Sequence, residues 1–276
     1  MNTHHYDLVV CIRCHAHLDF VLDTAASVSY NTDPKRTRVT FAVDGGCTSF
    51  AAQLQKVVDP SLVYVSPTHW GWGAGLWSLL TDSILTFDSR FSYSHFQSID
   101  YDTLYIAPGA DQKVLDLITD ESIGLIGCYN KDDPGWRQKY HLHQASFEKT
   151  FGIVPKTYGP GERMRGSYMT LTRSLIETMR ARGMWKPPYS VARQYTVMPD
   201  DHLATLFTRM CEMEIVDTSS FAYCMWNADG DLCGREKNGI AVVHPTKMSA
   251  RNKGRDCDVR IRNYFRKLRG ETEMLK

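Results

Sequence analysis

Tyr6-Asp7-Leu8-Val9-Val10-Cys11-Ile12, followed by Arg13, is the stretch on which the fold turns. It is a compact apolar run with two β-branched residues at its centre and polar neighbours, the pattern of a strand buried on both faces. A helix is expected next over 19–30, where Phe20, Val21, Ala25 and Val28 recur at helical spacing. The alternation then repeats. A strand over 39–43 is stopped by Asp44-Gly45-Gly46, a helix over 49–58 ends near Pro60, and a strand follows over 62–65. A helix over 75–87 and a strand over 92–99 arrive at Asp100. Strands that alternate with helices predict an α/β fold: a single domain with a Rossmann-like, mostly parallel central sheet and helices on both faces. Ligands of such sheets bind outside the carboxyl ends of the strands, which singles out Arg13, Asp44 and residues 100–102.

Further along, residues 129–165 are richer in Gly, Pro and charge and read as loop. Met169, Leu171, Leu175, Ile176 and Met179 give residues 167–182 a helical period that stops at Gly183. Pro187-Pro188 marks a break, and Leu203, Leu206, Phe207 and Met210 line one face of a helix over 200–213. There is no internal repeat.

With 276 residues, 43% of them hydrophobic, the chain can bury a large core, and 32 Lys and Arg against 31 Asp and Glu leave a net charge of +1. That balance excludes a uniformly basic coat protein, and no apolar run approaches the ~18 residues of a membrane span. The first ten residues lack the basic and long apolar regions of a secretory signal, so a cytoplasmic protein with eight reduced cysteines is expected. Disulfide scaffolds, collagens and repeat arrays are excluded as well.

Asp100-Tyr101-Asp102 is the sharpest chemical feature. Carboxylates at i and i+2 project to the same side of an extended backbone. At a strand end they can share a hard divalent cation, which in turn neutralises a diphosphate; a solvated turn is the plainer alternative. Asp44, before two glycines, either contacts a base or ribose or makes an ordinary Asp-Gly turn. In His69-Trp70-Gly71-Trp72-Gly73-Ala74-Gly75-Leu76-Trp77, Trp77 reads as core, and Trp70 and Trp72 as a platform beside a bound sugar or as loop anchors. Cys11-Ile12-Arg13-Cys14-His15 fits the haem-attachment spacing, but it begins inside an apolar strand whose side chains alternate between faces. Neither haem nor zinc is expected there.

Taken together, these stretches resemble the glycosyltransferases of the GT-A fold, the nucleotide-diphospho-sugar transferases. Val9 to Arg13 is similar to the family's first strand and nucleotide-contacting loop, and Val43-Asp44-Gly45-Gly46-Cys47-Thr48 to its "V-D-D-G-S-T" stretch. Asp100-Tyr101-Asp102 stands in the place of the metal-binding D-x-D. Arg165 to Arg173 resembles the glycine loop leading into "y-x-L-S-R", Pro199-Asp200-Asp201 the "x-E-D" motif, and Val243-His244-Pro245-Thr246-Lys247 the terminal histidine motif. The likeness spans about residues 6 to 250, with a donor-nucleotide half to about residue 110 and an acceptor half to about 250. Asp44 lacks the second adjacent Asp, and Asp200 replaces the usual Glu.

The resemblance implies a transferase that uses a nucleotide diphosphate sugar, a UDP-sugar being the first expectation, with Mn2+ or Mg2+ as cofactor. Asp102, His244 and Asp100 would hold the metal, and Lys247 would sit on a phosphate as a point charge. Arg13, Asp44 and Trp70 would border the donor. Asp201 would be the base of an inverting displacement, with helix N-capping by Asp200 or Asp201 as the alternative. The expected acceptor is a glycan or glycolipid, with a modified base in DNA as the alternative.

Residues 247–269 carry nine Lys and Arg against two Asp, with Ile261, Tyr264, Phe265 and Leu268 in an i, i+3, i+4, i+7 stripe. A basic amphipathic helix over 251–276 follows. It either docks on the domain or meets an anionic membrane surface or nucleic acid. Two rivals to sugar transfer remain at this stage. Nucleotidyl transfer would want a glycine in the Arg13-Cys14-His15-Ala16-His17 loop, and a nucleic-acid-binding module would use the basic tail and the tryptophans.

Overall fold

The computed structural model describes residues 4–71, 74–131, 162–185, 200–224, 231–246 and 255–274. The opening apolar run is β1 (His5–Cys14), and it is followed by α1 (Leu18–Asn31), β2 (Thr37–Val43), α2 (Thr48–Val57), β3 (Val63–Val65), α3 (Ala74–Asp88) and β4 (Ser92–Asp100). All seven expected elements of the first hundred residues are present within a few residues of their predicted bounds. β6 (Ile123–Asn130), β7 (Arg163–Thr172) and β8 (Glu214–Asp217) complete a seven-stranded sheet in the order β3-β2-β1-β4-β7-β6-β8. The pairs β3–β2, β2–β1, β1–β4 and β6–β8 are parallel, and β7 alone runs against its two neighbours.

β1 shows why this sheet must be covered twice. Val9 and Cys11 join a core with Trp77, Leu80, Ile84 and Phe87 of α3, Leu175, Ile176 and Met179 of α5 (Arg173–Ala181), and Leu203, Leu206 and Phe207 of α6 (Asp200–Met210). Leu8, Val10, Ile12 and Cys14 join another with Val21 and Val28 of α1, Phe50 and Leu54 of α2, and Val114 of α4 (Ala110–Leu115). Successive residues of one strand thus feed opposite cores. This alternation also separates Cys11 from Cys14, and burial pushes the Cys11 thiol up to about 12. Neither cysteine suits a metal or a nucleophile. Trp77 is fully buried, as expected.

The reading of 167–182 as one helix is corrected. Tyr168 to Thr172 continue β7, hydrogen-bonded between β4 and β6. Met169 and Leu171 face one core and Tyr168 the other, a strand alternation that their helical spacing concealed. The helix begins only at Arg173, where the Thr172 hydroxyl accepts from the Leu175 N–H at 3.3 Å. The expected loop over 129–165 is likewise shortened at both ends. Tyr129 and Asn130 belong to β6 and Arg163 to Arg165 to β7, while 132–161 and the Pro187-Pro188 break lie outside the described residues.

A second, three-stranded sheet stands beside the first: β5 (Leu104–Tyr105), β10 (Val242–His244) and β9 (Ala222–Cys224), in the order β5-β10-β9. It packs against the C-terminal helix α7 (Arg255–Leu268) through Leu104, Ile106, Val243, Ile261 and Phe265. Of the expected stripe, Ile261 and Phe265 are buried, Tyr264 is half-buried and Leu268 is exposed. The helix therefore docks on the domain, and its arginines face the protein's own carboxylates. Arg255 pairs with Asp19, Arg260 with Asp231, and Arg262, Arg266 and Arg269 converge on the buried Asp23.

His95, on β4, has its Nδ1 buried with no hydrogen-bond partner among the described residues. Burial, aided by the neighbouring Arg173, holds the imidazole down at about 4. The unfolded chain, with an ordinary histidine near 6.5, binds that proton first, so stability is full above about pH 6.5 and falls as the pH drops toward 4. Urea unfolding at pH 7 and pH 4.5 is expected to show His95→Gln losing about 2 kcal/mol less than the parent over that interval.

Candidate active site

The site is built at the carboxyl end of the main sheet by strand register. β1 and β4 are parallel neighbours with Arg13 directly opposite Asp100. Arg13 Nη2 lies 2.9 Å from Asp100 Oδ1, and its Nη1 donates to the Asp200 carboxylate at the start of α6. The guanidinium is 4% exposed. Burial works against its charge, but Asp100 and Asp200 outweigh burial and hold it charged even more firmly than an ordinary arginine. Asp200 and Asp201 also lie in the first turn of α6, where carboxylates suit the helix dipole.

Beyond β4 the chain turns, with the Thr103 N–H on the Asp100 carbonyl at 3.0 Å, and enters β5. β10 runs antiparallel to β5 with Val243 opposite Leu104, which carries His244 back to the turn. His244 Nε2 lies 3.3 Å from Asp102 Oδ1. Asp100, Asp102 and His244 each offer one ligand atom, all within 4.8 Å of one another. Asp102 is fully buried and Asp100 partly open, so one face of the cluster can admit a ligand. Two carboxylates and an imidazole, with room for substrate oxygens, fit a six-coordinate divalent cation, and the imidazole favours Mn2+ over Mg2+.

Asp44 ends β2 and accepts from the backbone N–H groups of Gly45, Trp70 and Gly71 at 3.0, 2.7 and 3.2 Å. Its other contact is His69 Nδ1 at 2.5 Å. This carboxylate fixes the loop after β3 against the end of β2. Gly45 permits the approach, since a Cβ there would lie 2.4 Å from the Ser66 carbonyl oxygen. Trp70, half-buried, packs against the α3 side of the core. Asp201 is buried, and its Oδ1 accepts from the His202 N–H at 2.8 Å. Lys247, Trp72 and Pro199 lie outside the described residues.

The sequence pointed to Asp100, Asp102 and His244, and the structure brings these three together. It adds Asp200, which the sequence offered only as a motif variant or a helix cap. A carboxylate at a helix start has many explanations, and its Arg13 partner is remote in sequence. Asp102→Ala is expected to weaken Mn2+ binding at least 100-fold by calorimetry while leaving the thermal midpoint within a few degrees. Undiminished affinity would move the metal elsewhere.

No protein-family model matches the sequence, and no curated protein matches it. Solved structures do. The galactosyltransferase LgtC in complex with donor and acceptor sugar analogs superposes with a TM-score of 0.53 at 14% identity, covering 98% of this chain and 97% of that one. An active-site mutant of LgtC gives 0.50 at 14% identity with the same coverage. Mouse xyloside xylosyltransferase 1 in its apo form gives 0.41 at 13% identity over 87% of this chain and 97% of its own. The architecture that carries the Asp100–Asp102–His244 cluster is thus the GT-A glycosyltransferase fold.

Proposed function

We propose that this protein is a metal-dependent glycosyltransferase that moves a sugar from a nucleoside diphosphate sugar, a UDP-sugar first, to a glycan or glycolipid acceptor. The observation that carries the reading is the convergence of Asp100, Asp102 and His244 at the carboxyl end of β4, the end at which open α/β sheets bind ligands. A divalent cation held there supplies positive charge to the departing diphosphate.

The chain's own residues divide the remaining work. Arg13 anchors Asp100 and Asp200 to each other, so it orients the carboxylates and leaves phosphate binding to Lys247. Asp44 holds the Trp70 loop in place, which sets one wall of the donor pocket. Asp201, at the start of α6, takes the proton of the acceptor hydroxyl as the bond between the anomeric carbon and the diphosphate oxygen breaks. That hydroxyl oxygen then forms the new glycosidic bond with inversion. The pairing of Arg255, Arg260, Arg262, Arg266 and Arg269 with carboxylates favours a glycan or glycolipid over modified DNA as acceptor.

A panel of nucleotide sugars, assayed for nucleoside diphosphate release with Mn2+ and with EDTA, tests the proposal. One donor is expected to give metal-dependent release that falls at least 100-fold in Asp102→Ala. With an acceptor present, Asp201→Asn is expected to lower kcat by 100-fold or more with little change in donor KM. A product of retained anomeric configuration would remove Asp201 from the base role. Absence of both release and Mn2+-dependent UDP or GDP binding would overturn the transferase.

A further inference from the structure

The C-terminal helix α7 carries more buried charge than docking needs. Ile261 and Phe265 already seat it on the small sheet, and a buried ion pair is often no more stabilising than apolar residues of the same size. Yet Arg262 is fully buried and uses its whole guanidinium fork. Its Nε donates to Asp258 at 2.7 Å, and its Nη1 to Asp23 at 2.8 Å, the Phe20 carbonyl at 3.1 Å and the Thr24 hydroxyl at 3.2 Å. Its Nη2 donates to the carbonyl of Tyr101 at 2.7 Å.

Tyr101 is the residue between the two candidate metal carboxylates. The same carbonyl also accepts from the Thr24 hydroxyl at 2.5 Å. One residue on, the Asp102 carbonyl accepts from the Thr246 N–H at 3.0 Å and from its hydroxyl at 3.2 Å. Thr246 is tied back to α7, since Cys257 Sγ lies 3.7 Å from its carbonyl oxygen. Both backbone carbonyls that set the direction of the Asp100-Tyr101-Asp102 turn are therefore gripped from α7 or from the segment leading to it.

We infer that α7 is a working part of the donor site, with Arg262 as a positioning residue that holds the 100–102 turn in its metal-binding geometry. The inference rests on the reading of Asp100, Asp102 and His244 as metal ligands. Arg suits the task because its planar fork spans the two carboxylates and the carbonyl at once, which an ammonium group cannot do. Groups that orient metal ligands typically change affinity 10- to 100-fold when altered. Coupling of this kind is reciprocal, so a metal that favours the ordered turn must also favour the docked helix.

Two measurements on the full chain test this, with Mn2+ alone as the probe. In the parent protein, Mn2+ is expected to slow backbone amide hydrogen exchange across residues 257–268 severalfold, an effect absent in Asp102→Ala. Arg262→Lys, which keeps a cation beside Asp23, is expected to weaken Mn2+ binding about tenfold or more and to speed exchange at the Thr246 amide. A merely structural arginine would lower the unfolding midpoint and move neither. Exchange in α7 that ignores Mn2+, while Asp102→Ala abolishes binding, overturns the inference even if the lysine variant fails to fold. So does a folded Arg262→Lys that binds Mn2+ within twofold of the parent. Mn2+ binding undiminished in Asp102→Ala would instead overturn the metal reading itself, and the clamp with it.

Discussion

A guanidinium buried between two carboxylates sets the terms for the rest of this site. Arg13 sits at the end of β1, Asp100 at the end of β4 and Asp200 at the start of α6, and 99 residues separate the last two. A charge so deeply buried is costly unless it is paired and hydrogen-bonded. The arrangement therefore forms only when β1 and β4 are in register and α6 has packed its apolar face on the sheet. The requirement works in both directions. The cation offsets the repulsion between two acidic groups held close together, and the acidic groups hold the cation in one orientation. Asp100 is thereby presented toward Asp102 and His244 before any ligand arrives, which is what electrostatic preorganisation asks of a site.

The two sheets divide the remaining labour. The seven-stranded sheet is covered on both faces by largely apolar cores, and the charged groups of the candidate site gather at its carboxyl end. The three-stranded sheet supplies what the large one lacks, a return path that brings a histidine to the strand end. β5 and β10 are only two and three residues long. Their pairing nevertheless fixes His244 opposite the 100–102 turn, and α7 covers the apolar backs of both strands.

The first hundred residues were legible because each element announces itself locally. β1 to β3 are apolar-rich runs bounded by turn residues, β4 mixes Tyr93, Phe96 and Ile99 with polar residues before ending at Asp100, and the intervening helices carry helical periodicity. Asp100 and Asp102 were legible for the same reason, two carboxylates at one strand end. Beyond that point the determinants are tertiary. Met169 and Leu171 satisfy a helical and a strand period at once, and only the neighbouring strands β4 and β6 decide between them. β6 includes Gly124 and Gly127, which weaken any strand signal. A Cβ at Gly127 would lie 2.4 Å from the Tyr168 carbonyl oxygen, so the glycine serves a close packing that sequence cannot display. Asp200 was visible as a residue, but its partner Arg13 was identifiable only through the fold.

The charge of the tail illustrates the same limit with a different outcome. Nine basic residues against two acidic ones suggest a surface for polyanions, and the sequence offered that reading beside simple docking. What decides between them is Asp23, a buried carboxylate on α1 that meets Arg262, Arg266 and Arg269 together. Uncompensated, Asp23 would be hard to bury, and Arg262, Arg266 and Arg269 are turned onto it. Among the described residues, the pairing of tail arginines with carboxylates of the remainder is thus an internal complementarity. It joins the last helix to the first, and through the Tyr101 carbonyl it reaches the candidate metal site. The net charge of +1 is the sum of a basic tail and an acidic remainder.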